Sequence, residues 1–167
     1  MHEHKTVPDL PPMTEEQRLA RLEYLPWERS IPQDTDSDEQ RARRWELNTI
    51  AGAEIDDTAF LAAGAKIFTD RFVLGARSII AADALIRGDI EMGDDCSVNP
   101  YTSIAGKVRC GNGVRIASLV TIAGFNHGIA PDEPIFRQRV EAEGIEIGND
   151  VWIGGNASIL DGARIGN

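Results

Sequence analysis

The sequence predicts a mainly β protein: a parallel β-solenoid of six-residue repeats, preceded by a short two-helix region. Two observations support this prediction. From Ile55 onwards an aliphatic residue, Met or Cys recurs with a spacing of six over more than a hundred residues, and glycine often follows it. The spacing is broken by one extra residue before Leu74 and by a gap between Ile122 and Ile147. Before Ile55 the chain is highly charged and contains two helix-capping patterns. A period held for so long indicates a stack of identical structural units.

The N-terminal part divides into a tail and a helical region. Residues 1–12 are polar and Pro-rich, which is typical of a disordered or extended tail. Residues 13–50 are expected to be helical. Thr14 opens the capping box TEEQ and predicts a helix that runs to about Leu25, where Pro26 stops it.

A second capping box, SDEQ, begins at Ser37 and predicts a helix over about 38–48. This helix carries several arginines, which we expect on a solvated face. Trp45 and Leu47 are the expected anchors to the rest of the fold.

Residues 51–167 are predicted to form the solenoid, with a protruding loop at about 128–140. A strand buries alternate side chains, so each short strand places one aliphatic residue inside, and stacked units together bury what one unit cannot. Cys96 and Cys110 fall on core positions and are interpreted as small buried thiols. The first position of each repeat is occupied by Ile55, Leu61, Ile67, Leu74, Ile80, Ile86, Met92, Val98, Ile104, Cys110, Ile116, Ile122, Ile147, Ile153, Ile159 and Ile165.

Composition excludes several classes of function. The net charge of −10 argues against nucleic acid or an anionic membrane as a partner, since both need a basic surface. No apolar run is long enough for a spanning helix, and the first residues lack the apolar core of a signal peptide. A cytoplasmic protein is therefore expected.

The tandem pattern [LIV]-G-x-x-[ASV]-x, the loop interruption and the stretch GNDVWIGGNASILDGARIG resemble the hexapeptide-repeat acyltransferases. The two preceding helices are most similar to the galactoside/maltose O-acetyltransferase branch. This resemblance implies a left-handed parallel β-helix, acetyl-CoA as the acyl donor, no required metal, and a homotrimer with active sites between subunits. Members of the family usually continue beyond the point where DGARIGN ends this sequence, so we expect either a fragment or altered CoA binding.

His127 is the predicted catalytic residue. It stands in NHGIAPDEP, at the boundary between the repeats and the loop, where the family carries its catalytic histidine. The resemblance implies a general base that removes a proton from the acceptor without an acyl-enzyme. An imidazole suits this step because its ordinary pKa of about 6.5 lies near working pH.

Arg109 is a candidate for tuning that base. It lies eighteen residues before His127, which is one coil of three repeats, so the two residues are expected to stack on adjacent coils. A neighbouring guanidinium would favour the neutral imidazole. An ordinary Glu–Arg surface ladder through Glu91 is the equally weighted alternative.

Other candidates come from the resemblance. Asn99, in CSVNPYTS, is similar to an acceptor-binding asparagine, but the repeat count places it on a different face from His127, so the two would meet only across a subunit boundary. Trp152 is expected to point outward and to line the acceptor channel or seal an interface. Arg137 and Arg139 in the loop could contact CoA phosphates, although solvated loop charges are the simpler reading.

The predicted function is acetyl transfer from acetyl-CoA to a hydroxyl, or an amine, of a small and possibly sugar-like acceptor. O-acetylation is favoured over N-acetylation, and the acceptor itself is not identified. A non-catalytic β-helix module for assembly is the main alternative. A zinc enzyme of the γ-carbonic anhydrase type shares the fold but needs three converging histidines, whereas the repeats contain only His127.

Overall fold

The computed structural model describes residues 12–29, 34–49 and 53–167. It confirms a parallel β-solenoid preceded by two helices; the left-handed winding stays a prediction. The predicted tail, apart from Pro12, lies outside the described residues. The helices are α1 (Glu15–Tyr24) and α2 (Asp38–Thr49), with single 3₁₀ turns at Pro26–Glu28 and Ile135–Arg137. The strands are β1 (Ala53–Ile55), β2 (Phe60–Leu61), β3 (Lys66–Leu74), β4 (Ile79–Ile80), β5 (Leu85–Met92), β6 (Ser97–Val98), β7 (Ser103–Cys110), β8 (Arg115–Ile116), β9 (Thr121–Gly124), β10 (Asn126–His127), β11 (Val140–Glu141), β12 (Ile145–Ile147), β13 (Trp152–Ile153), β14 (Ser158–Leu160) and β15 (Arg164–Ile165).

The strands stack into three walls. Wall 1 contains β1, the second halves of β3, β5 and β7, then β12 and β15. Wall 2 contains β2, β4, β6, β8 and β13. Wall 3 contains the first halves of β3, β5 and β7, then β9 and β14. Strands β3, β5 and β7 are long because each continues from wall 3 around a corner into wall 1.

The core lies between the walls and follows the predicted period. All of the first repeat positions from Ile55 to Ile159 are buried, and Ile165 is half-buried against the same core. Cys96 and Cys110 are buried free thiols, as predicted. Each buried aliphatic side chain contributes about 1.5–3 kcal/mol relative to an exposed one, so the inward column holds the solenoid together.

Helix α1 begins as predicted, with the complete Thr14–Gln17 capping box. The buried face of helix α2 differs from the one predicted from the sequence. Arg44 is buried and Trp45 is exposed, while Leu47 is buried as expected. The reason lies in the first coil, since the part of the chain that the structure describes contains no earlier coil with which its strands could pair.

Side chains of α2 replace the missing partner of that first coil. The Gln40 amide donates to the Leu61 carbonyl at 2.8 Å and accepts from the Leu61 N–H at 2.9 Å. Arg44 donates to the Ala59 carbonyl at 3.0 Å. An open strand edge invites pairing with other chains, and α2 closes this one.

Among residues 12–29, 34–49 and 53–167, no helix has both the length and the apolar character that a bilayer crossing requires.

Candidate functional site

The loop after wall 3 is a β-hairpin that removes His127 from the solenoid wall. Strands β10 and β11 pair antiparallel, with Asn126 opposite Glu141 and His127 opposite Val140. The wall resumes at Ile145, which takes the place beside Val108 on wall 1. The hairpin is thus longer at both ends than the predicted loop of 128–140, and it carries the histidine on an exposed strand.

The predicted stacking of Arg109 on His127 is therefore wrong. In wall 1, Arg109 lies between Glu91 and Glu146 on the neighbouring strands. The chain leaves the wall at Asn126 to form the hairpin, so His127 never takes the position beside Arg109. Its guanidinium contacts Asp89 at 2.5 Å and Glu91 at 3.4 Å. This ion pairing, with a smaller contribution from Arg71, lowers the pKa of the Asp89 carboxyl. Arg109 is therefore part of the Glu–Arg surface ladder, the alternative interpretation. The stacking on which the predicted tuning of the His127 imidazole depended does not occur within the chain.

The hairpin forms one side of a groove at the corner between walls 3 and 1, which we name the His127 groove. Its volume is about 630 Å³, within the range of about 300–1,000 Å³ typical of small-molecule sites. The lining residues are Phe68, Asp70, Arg87, Gly88, Gly106, Phe125, His127, Val140 and Ala142.

Glycines form the floor of the His127 groove because the corner requires them. Gly88 and Gly106 have φ of 99° and 88°, a region that side chains with a Cβ rarely adopt. A Cβ on Gly88 would lie 2.5 Å from the Gly106 carbonyl oxygen. Stacked glycines thus let successive coils turn the corner tightly and leave backbone facing the groove.

Aromatic and cationic side chains surround the imidazole. The Phe125 and His127 rings meet edge to face with centroids 6.5 Å apart. The Arg87 guanidinium lies over the same Phe125 ring, 5.4 Å from its centroid. Within the described residues the His127 side chain makes no hydrogen bond or ion pair. Its lone-pair nitrogen is therefore available to a ligand.

Sequence reasoning missed Asp70 and Arg87. Asp70 is the one extra residue between the repeats of Ile67 and Leu74, where the register between β3 and β5 shifts between Thr69 and Arg71. This β-bulge places an exposed carboxylate at the end of the groove. The extra residue was a visible signal, since bulges often aim a side chain towards a site.

Asn99 and Trp152 lie on wall 2 and do not line the His127 groove. Asn99 is half-buried, and its backbone N–H donates to the Ile116 carbonyl at 3.0 Å. Trp152 points outward, as predicted, with 79% of its surface exposed, and its backbone pairs with that of Arg115 in the neighbouring strand. Within one chain, Asn99 and Trp152 therefore lie at wall 2, whereas His127 lies at the corner between walls 3 and 1.

The loop arginines are exposed, and Arg137 lies over the Phe136 ring at 5.3 Å. Neither Arg137 nor Arg139 forms an ion pair with another described residue. The Gln138 amide holds the loop by bonding both the N–H and the carbonyl of Ala130 at 2.8 and 2.9 Å. The loop thus presents two arginines without an ion-pair partner among the described residues, on a locally bonded backbone.

Two further features bear on the chemistry. Burial raises the pKa of the Cys96 thiol, and that of Cys110 to about 12. Both cysteines are therefore protonated and poor nucleophiles near neutral pH. In the part of the chain that the structure describes, no three His, Cys, Asp or Glu side chains converge as a metal site would require.

Comparison with known proteins gives one informative match. The chain is 34% identical over 114 residues to the "Putative lipopolysaccharide biosynthesis O-acetyl transferase WbbJ" of Escherichia coli (strain K12). The match covers 62% of this chain and 57% of that relative, so the chain spans little more than half of the relative's length. No protein-family model matches, and no solved structure matches.

Proposed function

We propose that this chain, whose β-solenoid and similarity to an O-acetyltransferase support the resemblance to hexapeptide-repeat acyltransferases, transfers an acetyl group from acetyl-CoA to a small acceptor. The acceptor presents a hydroxyl, or less favourably an amine. The observation that carries the proposal is an imidazole that has no partner among the described residues and lines a groove of ligand size. Sites of this kind, concave with a few convergent polar groups, are where small molecules bind.

His127 acts as the general base. Its neutral imidazole accepts the proton of the acceptor hydroxyl as the oxygen attacks the thioester carbonyl, and returns that proton to the departing CoA sulfur. The chain supplies orientation through the paired strands of the hairpin and the Phe125 contact. General base catalysis of this type contributes about 10²–10⁴-fold to a rate.

Direct transfer without an acyl-enzyme is consistent with the buried thiols. Cys110 faces the core and its pKa of about 12 keeps the thiolate scarce. Cys96 is likewise buried, and its thiol lies 3.1 Å from the Gly111 carbonyl oxygen. Neither sulfur lines the His127 groove.

We further propose a homotrimer whose active sites lie between subunits. Asn99 and Trp152 on wall 2 would then approach His127 of a neighbouring copy, where Asn99 binds the acceptor and Trp152 covers the channel. Arg137 and Arg139, which have no ion-pair partner among the described residues, would bind the CoA phosphates, which an overall charge of −10 would otherwise repel. No metal takes part in this scheme.

The experiment is a screen of hydroxyl and amine acceptors with acetyl-CoA, in which released thiol is measured. On the best acceptor, His127→Ala is expected to lower kcat by at least about 100-fold with an unchanged thermal melt, because the side chain is exposed. Glu141→Ala, a change on the other strand of the same hairpin, serves as the matched control. A His127→Ala protein that keeps the wild-type rate contradicts the proposal, and a whole protein that binds no CoA in calorimetry favours the assembly module.

A further inference from the structure

We propose that the acceptor held in the His127 groove is a sugar-sized, hydroxyl-rich molecule bearing one carboxylate, as in a hexuronic acid, with Arg87 binding that carboxylate and Asp70 binding hydroxyl groups. This inference rests on the proposed function. It adds a substrate class and two specificity-determining residues, both of which line the same groove as the imidazole.

Asp70 is the first argument. It is exposed in the groove and, within the described residues, has no hydrogen bond or ion pair. Its neighbours in the chain differ, since Arg71 is paired with Asp89 at 3.4 Å and with Glu91 at 3.1 Å. The bulge thus separates one free carboxylate from the ion-pair ladder of wall 1. An ionised carboxylate only accepts hydrogen bonds, so its partner on a ligand must donate, as a hydroxyl does.

Arg87 is the second argument. Wall-1 arginines of the neighbouring coils are neutralised by carboxylates, as Arg109 is by Asp89 at 2.5 Å. Arg87 instead rests on the Phe125 ring and has no carboxylate partner among the described residues. The aromatic face orients the guanidinium without neutralising it. A planar guanidinium binds a carboxylate through two parallel hydrogen bonds, which a lysine does not reproduce.

The mixed surface of the groove suits a sugar ring. Phe68 is 71% exposed and lines the groove together with Phe125, so two aromatic side chains are offered to a ligand. The floor at Gly88 and Gly106 carries no side chains, which allows a ring to approach the backbone. Hydroxyl-rich molecules with apolar ring faces match this mixture of aromatic surface and charge.

The charges of the His127 groove favour binding of the acceptor over binding of acetyl-CoA. They also favour an acceptor that bears a carboxylate over one that bears a phosphate. Asp70 and Arg87 bring one negative and one positive charge to the groove, which leaves no excess positive charge for the several phosphate charges of CoA. A singly charged carboxylate satisfies Arg87, whereas a doubly charged phosphate would leave uncompensated negative charge near Asp70. The unpaired loop arginines lie outside this part of the groove.

The first test measures binding to the whole protein by calorimetry or ligand-observed NMR. The probes are a methyl hexuronide, the matching neutral methyl hexoside and a hexose 1-phosphate. We expect the uronide to bind tightest. Arg87→Gln should weaken the uronide about 10- to 100-fold, as loss of a charged hydrogen-bonded partner does, and leave the hexoside within about twofold. Arg87→Lys should recover only part of the loss.

Asp70→Asn keeps the size of the side chain and should weaken the uronide and the hexoside alike, by about tenfold. Arg164→Gln removes a charge outside the groove, where Arg164 pairs with Glu146, and should change nothing. Thermal melts verify that each variant is folded. The inference is overturned if the wild-type protein binds no uronide, if it binds the phosphate more tightly, or if Arg87→Gln weakens both sugars equally.

The second test measures acetyl transfer to the same sugars and separates the two proposals. If transfer needs His127 but the ratio of kcat/KM for uronide over hexoside is unchanged in Arg87→Gln, the proposed function stands and this inference fails. If the uronide binds through Arg87 but is never acetylated, the ligand class stands and the proposed function fails. If both proposals are correct, the Asp70 and Arg87 variants keep the wild-type KM for acetyl-CoA, because these residues bind the acceptor.

Discussion

Replacement of Gln40 by alanine tests how α2 closes the open end of the solenoid. Gln40 is buried, and its amide makes two hydrogen bonds to the backbone of Leu61, at 2.8 and 2.9 Å. Leu61 belongs to β2, the first strand of wall 2, so no earlier strand among the described residues can take over these bonds. The variant therefore leaves one N–H and one carbonyl without a partner in a buried place.

Each buried group left unpaired costs about 1–3 kcal/mol, which gives about 2–4 kcal/mol for the pair after some access of water. In a protein of 167 residues each 1 kcal/mol lowers Tm by about 2–4 °C. A loss of about 3 kcal/mol thus predicts a fall in Tm of about 9 °C for Gln40→Ala.

The assay is thermal unfolding followed by circular dichroism, with Arg41→Gln as the control from the same helix. Arg41 is exposed and its ion pairs with Asp36 and Asp38 lie at the surface, where such pairs contribute about 0–1 kcal/mol. Gln40→Glu should also destabilise, because a carboxylate cannot donate to the Leu61 carbonyl. If Gln40→Ala melts within about 1 °C of Arg41→Gln, the helix does not cap the solenoid as described.

Three further outcomes are expected. Gly106→Ala should lose about 1–3 kcal/mol, because φ is 88° and the new Cβ would overlap the Gly124 carbonyl oxygen, whereas Gly154→Ala, which meets nothing within 4 Å, should melt like wild type. Burial raises the pKa of Cys110 from about 9 to about 12, so its contribution to stability is complete below pH 9 and is lost as pH rises towards 12. Urea titrations of wild type and Cys110→Val should diverge over that window, and a parallel pH dependence would contradict the assignment. Mixed refolding of inactive Asn99→Ala and His127→Ala chains should restore acetyl transfer if the site joins two copies, and no recovery would contradict a site shared between subunits.

The solenoid could be predicted from sequence because each short strand leaves one inward side chain, and that side chain must be aliphatic or small. Ile55 to Ile159 follow this rule, and the interruption of the period located the hairpin. What the period could not show was where the chain leaves the wall. Asn126 and His127 keep the spacing of the repeat but pair with the returning strand, which invalidated the stacking on Arg109.

Helix α2 shows a second limit. Hydrophobicity alone predicts Trp45 inside and Arg44 outside, but the edge of the first coil needs hydrogen-bond donors more than apolar surface. Asp70 shows a third limit. The extra residue in the repeat was visible, yet only the bulge geometry places its carboxylate in the groove with His127.

The most direct measurement is a single turnover with labelled acetyl-CoA, in which mass spectrometry follows the label on acceptor and protein for wild type and His127→Ala. If His127 is the general base for direct transfer, the label passes to the acceptor with no acetylated protein on the way, and the variant slows this step by at least about 100-fold. A kinetically competent acetyl-protein, or label reaching the acceptor at the wild-type rate without the imidazole, would contradict it.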